Sequence, residues 1–175
     1  MPPARIRSAV DADLPDLVRI YNHYVVHSHV TFDTHPFAVE ARESWFRGFA
    51  PSGPHRLLVA EIDDEISGYA SSGSFRAKPA YRTSVETTVY LAPERVQRGV
   101  GPALYAALLG ELEAEGEVHR AYAGIALPNP ASIALHTRLG FTLVGTFREV
   151  GFKFGKFWSV SWYEREIPAL RHSSH

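Results

Sequence analysis

Between Val96 and Gly116 the chain reads VQRGVGPALYAALLGELEAEG, and no other stretch constrains the fold as strongly. The preceding run Ser84–Leu91 alternates as a strand does. Gly99 and Gly101 then make a tight turn, and a helix opens at once with Leu104, Ala107, Leu108 and Leu112 on one face. A strand, a glycine turn and a helix in this order make a β-α unit, which needs a sheet to pack on. Backbone N–H groups at a helix start are unpaired and lie at the positive end of the helix dipole. Glycines there let a ligand approach the backbone closely, so residues 97–101 can seat a pyrophosphate. Leu104 stands where a dinucleotide fingerprint needs its third glycine, and no Gly-Lys-Ser/Thr follows. Taken alone, such a turn also serves simply to start a helix.

The rest of the 175 residues reads as one α/β domain. Arg5 to Val10 is a short strand, and Asp11 or Asp13 can cap the helix carrying Leu14, Leu17, Val18, Ile20 and Tyr21. Val30 to Pro36 is a loop, and a second helix is predicted over Val39 to Phe49. Arg56 to Ile62 and Gly68 to Ser74 form a hairpin around Asp63 and Asp64. Ala121 to Ala126 is a strand, Ala131 to Leu139 a short helix stopped by Gly140. Phe141 to Phe152 and Phe157 to Glu166 pair around Gly155 and Lys156. The hairpins predict a mixed sheet.

Composition excludes several functions. The chain has no cysteine, so disulfides, zinc–thiolate sites and a cysteine nucleophile are out. A formal net charge of −1 gives no basic field for nucleic acid. No apolar run approaches the roughly 20 residues of a membrane span, and no signal peptide is visible. A cytoplasmic protein is expected. His23 and His27 have the spacing of a metal pair but lack the following Glu, and no metal is predicted.

The run Glu86-Thr-Thr-Val-Tyr-Leu-Ala-Pro-Glu-Arg-Val-Gln-Arg-Gly-Val-Gly-Pro-Ala-Leu-Tyr resembles the acetyl-CoA motif of the GCN5-related N-acetyltransferases (GNAT), nearest their phosphinothricin and methionine sulfoximine branch. Four further segments resemble that branch in the same order. They are Ile20-Tyr-Asn-His-Tyr with Thr31-Phe32, Phe75 to Tyr81, Leu127 to Phe141, and Gly151 to Trp158. The resemblance covers residues 4–167 and leaves 168–175 as a tail. It implies a single GNAT domain: a central twisted mixed sheet of about seven strands flanked by about four helices, splayed in the middle. It implies acetyl-CoA as co-substrate, held by Val89, Tyr90, Leu91, Gln97, Arg98, Gly99, Val100, Gly101, Pro102 and Asn129. As a reading of the residues, Asn129 serves equally as a helix cap.

An acetyl transfer to an amine needs a base, a stabilised carbonyl oxygen and a proton for the leaving thiolate. The resemblance makes Glu86 the base, a backbone N–H near Leu91 the oxyanion contact, and His136 the proton donor, with Tyr105 as competitor. It implies a small amino-acid-like acceptor with anionic groups, met by Phe32, Arg76, Lys78 and Tyr81, and it implies a homodimer with herbicide resistance as an associated property. Two other functions fit the same motifs: a non-catalytic acyl-CoA-binding module, and a protein or peptide N-acetyltransferase.

Overall fold

The computed structural model describes residues 4–95 and 99–168. Gln97 and Arg98 of the expected cofactor turn, and residues 169–175 of the expected tail, lie outside them. Seven strands build one sheet: β1 (Arg5–Ser8), β2 (Leu57–Ile62), β3 (Glu65–Ser74), β4 (Ser84–Leu91), β5 (Arg120–Ala126), β6 (Thr142–Lys153) and β7 (Lys156–Glu166). Their spatial order is β1-β2-β3-β4-β5-β7-β6. Every neighbouring pair is antiparallel except β4 and β5, which are parallel. That one parallel pair follows from the β-α-β crossover through the helix α3 (Val100–Glu115). The other helices are α1 (Leu14–His27), α2 (Glu43–Phe46) and α4 (Pro130–Arg138).

The pattern of β2, Leu-Leu-Val-Ala-Glu-Ile, is nearly all apolar because both faces are covered. Leu58, Ala60 and Ile62 point into a core built on Leu104, Leu108 and Leu112 of α3. Leu57 and Val59 point into a second core with Leu17 and Ile20 of α1. Asp63 and Asp64 both take left-handed backbone, φ 52° and 60°, as the two-residue turn of a hairpin between twisted strands requires. Gly99, φ 95°, turns the chain into α3.

Two expectations change. Asp13 does not cap α1 with its side chain: its carboxylate accepts from the Arg7 guanidinium at 2.7 and 2.9 Å and from the Val10 N–H. Buried beside a cation, that carboxyl is held below its ordinary range, the Arg7 and Val10 hydrogen bonds outweighing desolvation. The second helix is also short. A single 3-10 turn over Glu40–Arg42 leads into the four residues of α2, because this segment has only Trp45, Phe46 and Phe49 to pack against the α1 core.

The strand β3 passes close beside the end of β4. A Cβ on Gly68 would lie 2.7 Å from Leu91 Cδ2 and 2.8 Å from the Tyr90 carbonyl oxygen, whereas Gly73 has nothing within 4 Å. Gly68→Ala is therefore expected to destabilise by about 1–3 kcal/mol, while Gly73→Ala stays near the wild type. Urea unfolding of the two variants checks this.

Candidate active site

The strands β4 and β5 pair only at Ser84–Arg120, Val85–Ala121 and Glu86–Tyr122, and then part. Beyond Glu86 one edge of β4 has no ladder partner. Ala92 N–H donates to Ser67 on the β3 side, so by the alternation of a strand the N–H groups of Val89 and Leu91 face the opening. The Leu91 carbonyl there accepts from the Tyr24 hydroxyl at 2.6 Å.

A cavity of about 560 Å³ fills the opening. Val89, Tyr90, Leu91, Gly101, Pro102 and Asn129 of the expected cofactor set line it. Gly99 and Val100 form the turn at the start of α3, outside that lining. Asn129 is the N-cap of α4, its Oδ1 accepting from Ser132 N–H at 3.1 Å. Both roles weighed for Asn129 therefore fall on one residue: it caps a helix and faces the cavity.

A second cavity, of about 410 Å³, lies on the other side of the parted strands. Val30, Thr88, Tyr90, Gly124 and Ala126 line both, so the two adjoin along these residues. Glu86 lines the second cavity at the fork of the strands, and its carboxylate makes no hydrogen bond with a described residue. Burial raises its pKa above the ordinary carboxylate value, and the charge of Arg76 partly opposes this.

His136 is buried at 4% exposure yet touches the first cavity. Its Nδ1 is 2.7 Å from the Ser132 carbonyl, which can only accept, so Nδ1 carries the proton. Nε2 then accepts from the Tyr105 hydroxyl at 3.1 Å, and Tyr105 sits 2.6 Å from Thr87 Oγ1. Thr87 also reaches the Tyr122 carbonyl at 3.2 Å. If Nε2 gains a proton, each hydroxyl in the row turns round and the last donates to Tyr122. Both charge states of the ring are thus satisfied. Burial lowers the His136 pKa, so the neutral ring is the resting form near neutral pH.

The wall facing Glu86 is fixed from a distance. Lys153 is 4% exposed, and its ammonium donates to the carbonyls of Ser28 and Thr31, each at 2.7 Å. This anchors the loop after α1, which carries Phe32. The Phe32 ring lies over Gly151, where a Cβ would come within 2.2 Å of Phe32 Cε2. Trp158 Nε1–H donates to the Lys153 carbonyl, and His29 stacks on Trp158 at 4.2 Å.

The description of a family of acetyltransferase (GNAT) domains matches residues 6–162. The chain belongs to the GNAT family. A phosphinothricin N-acetyltransferase of Streptomyces coelicolor is 54% identical over 165 residues, 93% of this chain and 96% of the relative. An L-methionine sulfoximine/L-methionine sulfone acetyltransferase of Pseudomonas paraeruginosa is 34% identical, over 96% of this chain and 97% of the relative. The crystal structure of a GNAT phosphinothricin acetyltransferase from Sinorhizobium meliloti in complex with acetyl-CoA superposes with a TM-score of 0.90 at 32% identity, covering 99% of this chain and 94% of that one. The chain is an acetyl-CoA-dependent N-acetyltransferase.

On this GNAT scaffold Glu86, His136 and Phe32 reach the adjoining cavities. The other expected acceptor residues do not. Arg76 and Lys78 line a separate depression with Glu117, which meets the Glu86 cavity only at Ser74. The Arg76 guanidinium stacks over Phe75 at 4.2 Å and donates to the Phe75 carbonyl. Tyr81 is 42% exposed and packs edge-on against Phe75, outside both cavities. Sequence reasoning missed Arg42, which lines the Glu86 cavity, and Lys153. The only sequence signal for Lys153 was its place in the Gly151–Trp158 segment. For Arg42 there was none beyond a charge on a predicted helix.

Lys153→Met is expected to leave two carbonyls without their buried donor, costing about 2–3 kcal/mol. It should also raise the acceptor KM, since Phe32 loses its anchor. Urea unfolding and steady-state kinetics on the same variant check both parts.

Proposed function

We propose that this enzyme moves the acetyl group of acetyl-CoA to the α-amino group of a small amino-acid-like acceptor of the phosphinothricin, methionine sulfoximine or methionine sulfone type. Transfer is direct, in a ternary complex. The observation that carries the reading is Glu86 at the fork of β4 and β5, facing one of two adjoining cavities. The names of the relatives support the acceptor class.

Acetyl-CoA supplies the activated thioester. The free edge of β4 at Val89, Tyr90 and Leu91, the turn Gly99–Pro102 and Asn129 hold the donor side. Glu86 removes the proton that the amine loses as the new C–N bond forms. A raised pKa makes it a stronger base than an ordinary carboxylate. The N–H groups of Val89 or Leu91 offset charge on the carbonyl oxygen. In its protonated form His136 passes the Nε2 proton along Tyr105 and Thr87 to the departing thiolate and returns to its neutral resting form. Phe32 supplies an apolar wall, and Arg76, Lys78 and Tyr81 act from outside the cavity rim on an approaching anion.

The catalytic domain spans residues 4–167. No helix among the described residues is long and apolar enough to cross a membrane. The absence of cysteine supports a cytoplasmic setting. Acetylation of phosphinothricin-type herbicides would make resistance one consequence of the activity. The strand β6 supports a homodimer. It is the edge of the sheet, and Leu143, Val144, Phe147, Val150 and Phe152 on it are all more than half exposed. Light scattering at micromolar concentration is expected to give twice the 19.5 kDa chain mass. Phe147→Lys with Phe152→Lys should return the monomer.

Thiol release from acetyl-CoA can be followed with a thiol-reactive dye, because the protein has no cysteine of its own. Glu86→Gln is expected to lower kcat/KM by about 100-fold or more. The base works only when ionised, so wild-type activity falls as pH drops through the raised Glu86 pKa. Arg76→Ala should move that limb to higher pH, since the Arg76 charge holds the pKa down. The limb set by the acceptor amine should stay. Stability carries the opposite sign. A carboxyl whose folded pKa is raised contributes stability at low pH that is lost as pH rises through that pKa. Glu86→Gln is therefore expected to melt above wild type at pH 8, with the gap closing toward pH 4. Thermal melts at the two pH values check it.

A further inference from the structure

Among the residues lining the Glu86 cavity, Glu86 is the one anion and Arg42 the one cation. Arg42 stands on the turn before α2, and its guanidinium carbon lies 4.2 Å from the Trp45 ring centroid, 5.0 Å from Phe37 and 5.1 Å from Tyr21. Three aromatic rings thus surround one planar cation. Such ring contacts use none of the guanidinium's N–H donors. No hydrogen bond or ion pair joins the Arg42 guanidinium to a described residue, whereas Arg7, Arg19, Arg47, Arg56 and Arg165 are all paired with carboxylates. Tyr21 cannot serve as a competing partner, because its hydroxyl is engaged with Thr31 and Asp33.

A guanidinium oriented by rings, with an unused fork and a cavity in front of it, is built to take a planar or tetrahedral anion. We infer that Arg42 binds an anionic group of the acceptor, its α-carboxylate or its anionic head, while Glu86 meets the amine. This rests on reading the cavity as the acceptor site. It moves the main anion contact from Arg76 and Lys78, which face the neighbouring depression, to a residue inside the cavity. The chemistry selects acceptors that carry an amine and an anion together, and disfavours amines without one.

The test compares wild type, Arg42→Gln and Arg42→Lys on methionine sulfone, its α-carboxamide and phosphinothricin. Thermal shift without acetyl-CoA reads binding, and dye-detected thiol release reads turnover. Arg42→Gln is expected to lose the thermal shift given by methionine sulfone and to lower kcat/KM for it about 10- to 100-fold, mainly through KM. The carboxamide should be unchanged. Arg42→Lys should recover only part, since an ammonium lacks the fork. A loss confined to phosphinothricin would assign Arg42 to the anionic head and not to the carboxylate. Equal losses on all three acceptors would mark a structural role and overturn the inference. Unchanged kinetics on methionine sulfone and phosphinothricin would overturn it while leaving the acceptor class intact. An Arg42-dependent thermal shift without turnover would keep the anion contact and remove the acceptor reading. No shift and no turnover in wild type would remove both.

Discussion

The separation of β4 from β5 after three paired residues is the feature on which the site depends. A parallel pair that continued would satisfy the β4 edge and close the sheet. Because it stops at Glu86–Tyr122, backbone donors that would have been spent on a ladder face a cavity instead. The same divergence sets Glu86 at the fork, between the two cavities. Gly68 supports it, since only a residue without a side chain lets β3 follow β4 past Tyr90 and Leu91.

The two cavities are built by different physics. The first cavity rests on one continuous local unit, strand, turn and helix α3, whose leucines anchor it in the main core. The wall of the second is held by remote polar contacts. Lys153 reaches Thr31 across 122 residues of sequence, while Tyr24, beside the first cavity, caps Leu91 across 67. Aromatic rings fill the space between: Tyr21, Tyr24 and Tyr69 all pack on Tyr90 at 5.3 to 5.6 Å. Such a wall excludes water, which raises the basicity of Glu86 and sharpens any charged contact made inside it.

Legibility followed locality. The span of β4, Ser84–Leu91, was read to the residue, and on the predicted α3 face Leu104, Leu108 and Leu112 are fully buried and Ala107 partly so. The helix predicted over 39–49 failed because its apolar residues supply little more than one turn of packing. The Asp13 cap failed because a partly buried arginine from β1 claimed the carboxylate. Neither competitor is visible in a window of neighbouring residues. His136 was found by resemblance, but its buried row with Tyr105 and Thr87 joins three separate elements and has no pattern in the sequence.

By itself the sequence determined the strand–turn–helix unit, the placement of Glu86 on the strand leading into it, and the absence of thiol chemistry. Those are properties of local periodicity, backbone freedom at glycine, and composition. Only the tertiary structure decided which cation lines the Glu86 cavity. Arg42, Arg76 and Lys78 are alike as letters in a sequence. Three rings from separate places in the chain stack around Arg42 at the cavity, while Phe75 holds Arg76 beyond it, and that choice is made by packing.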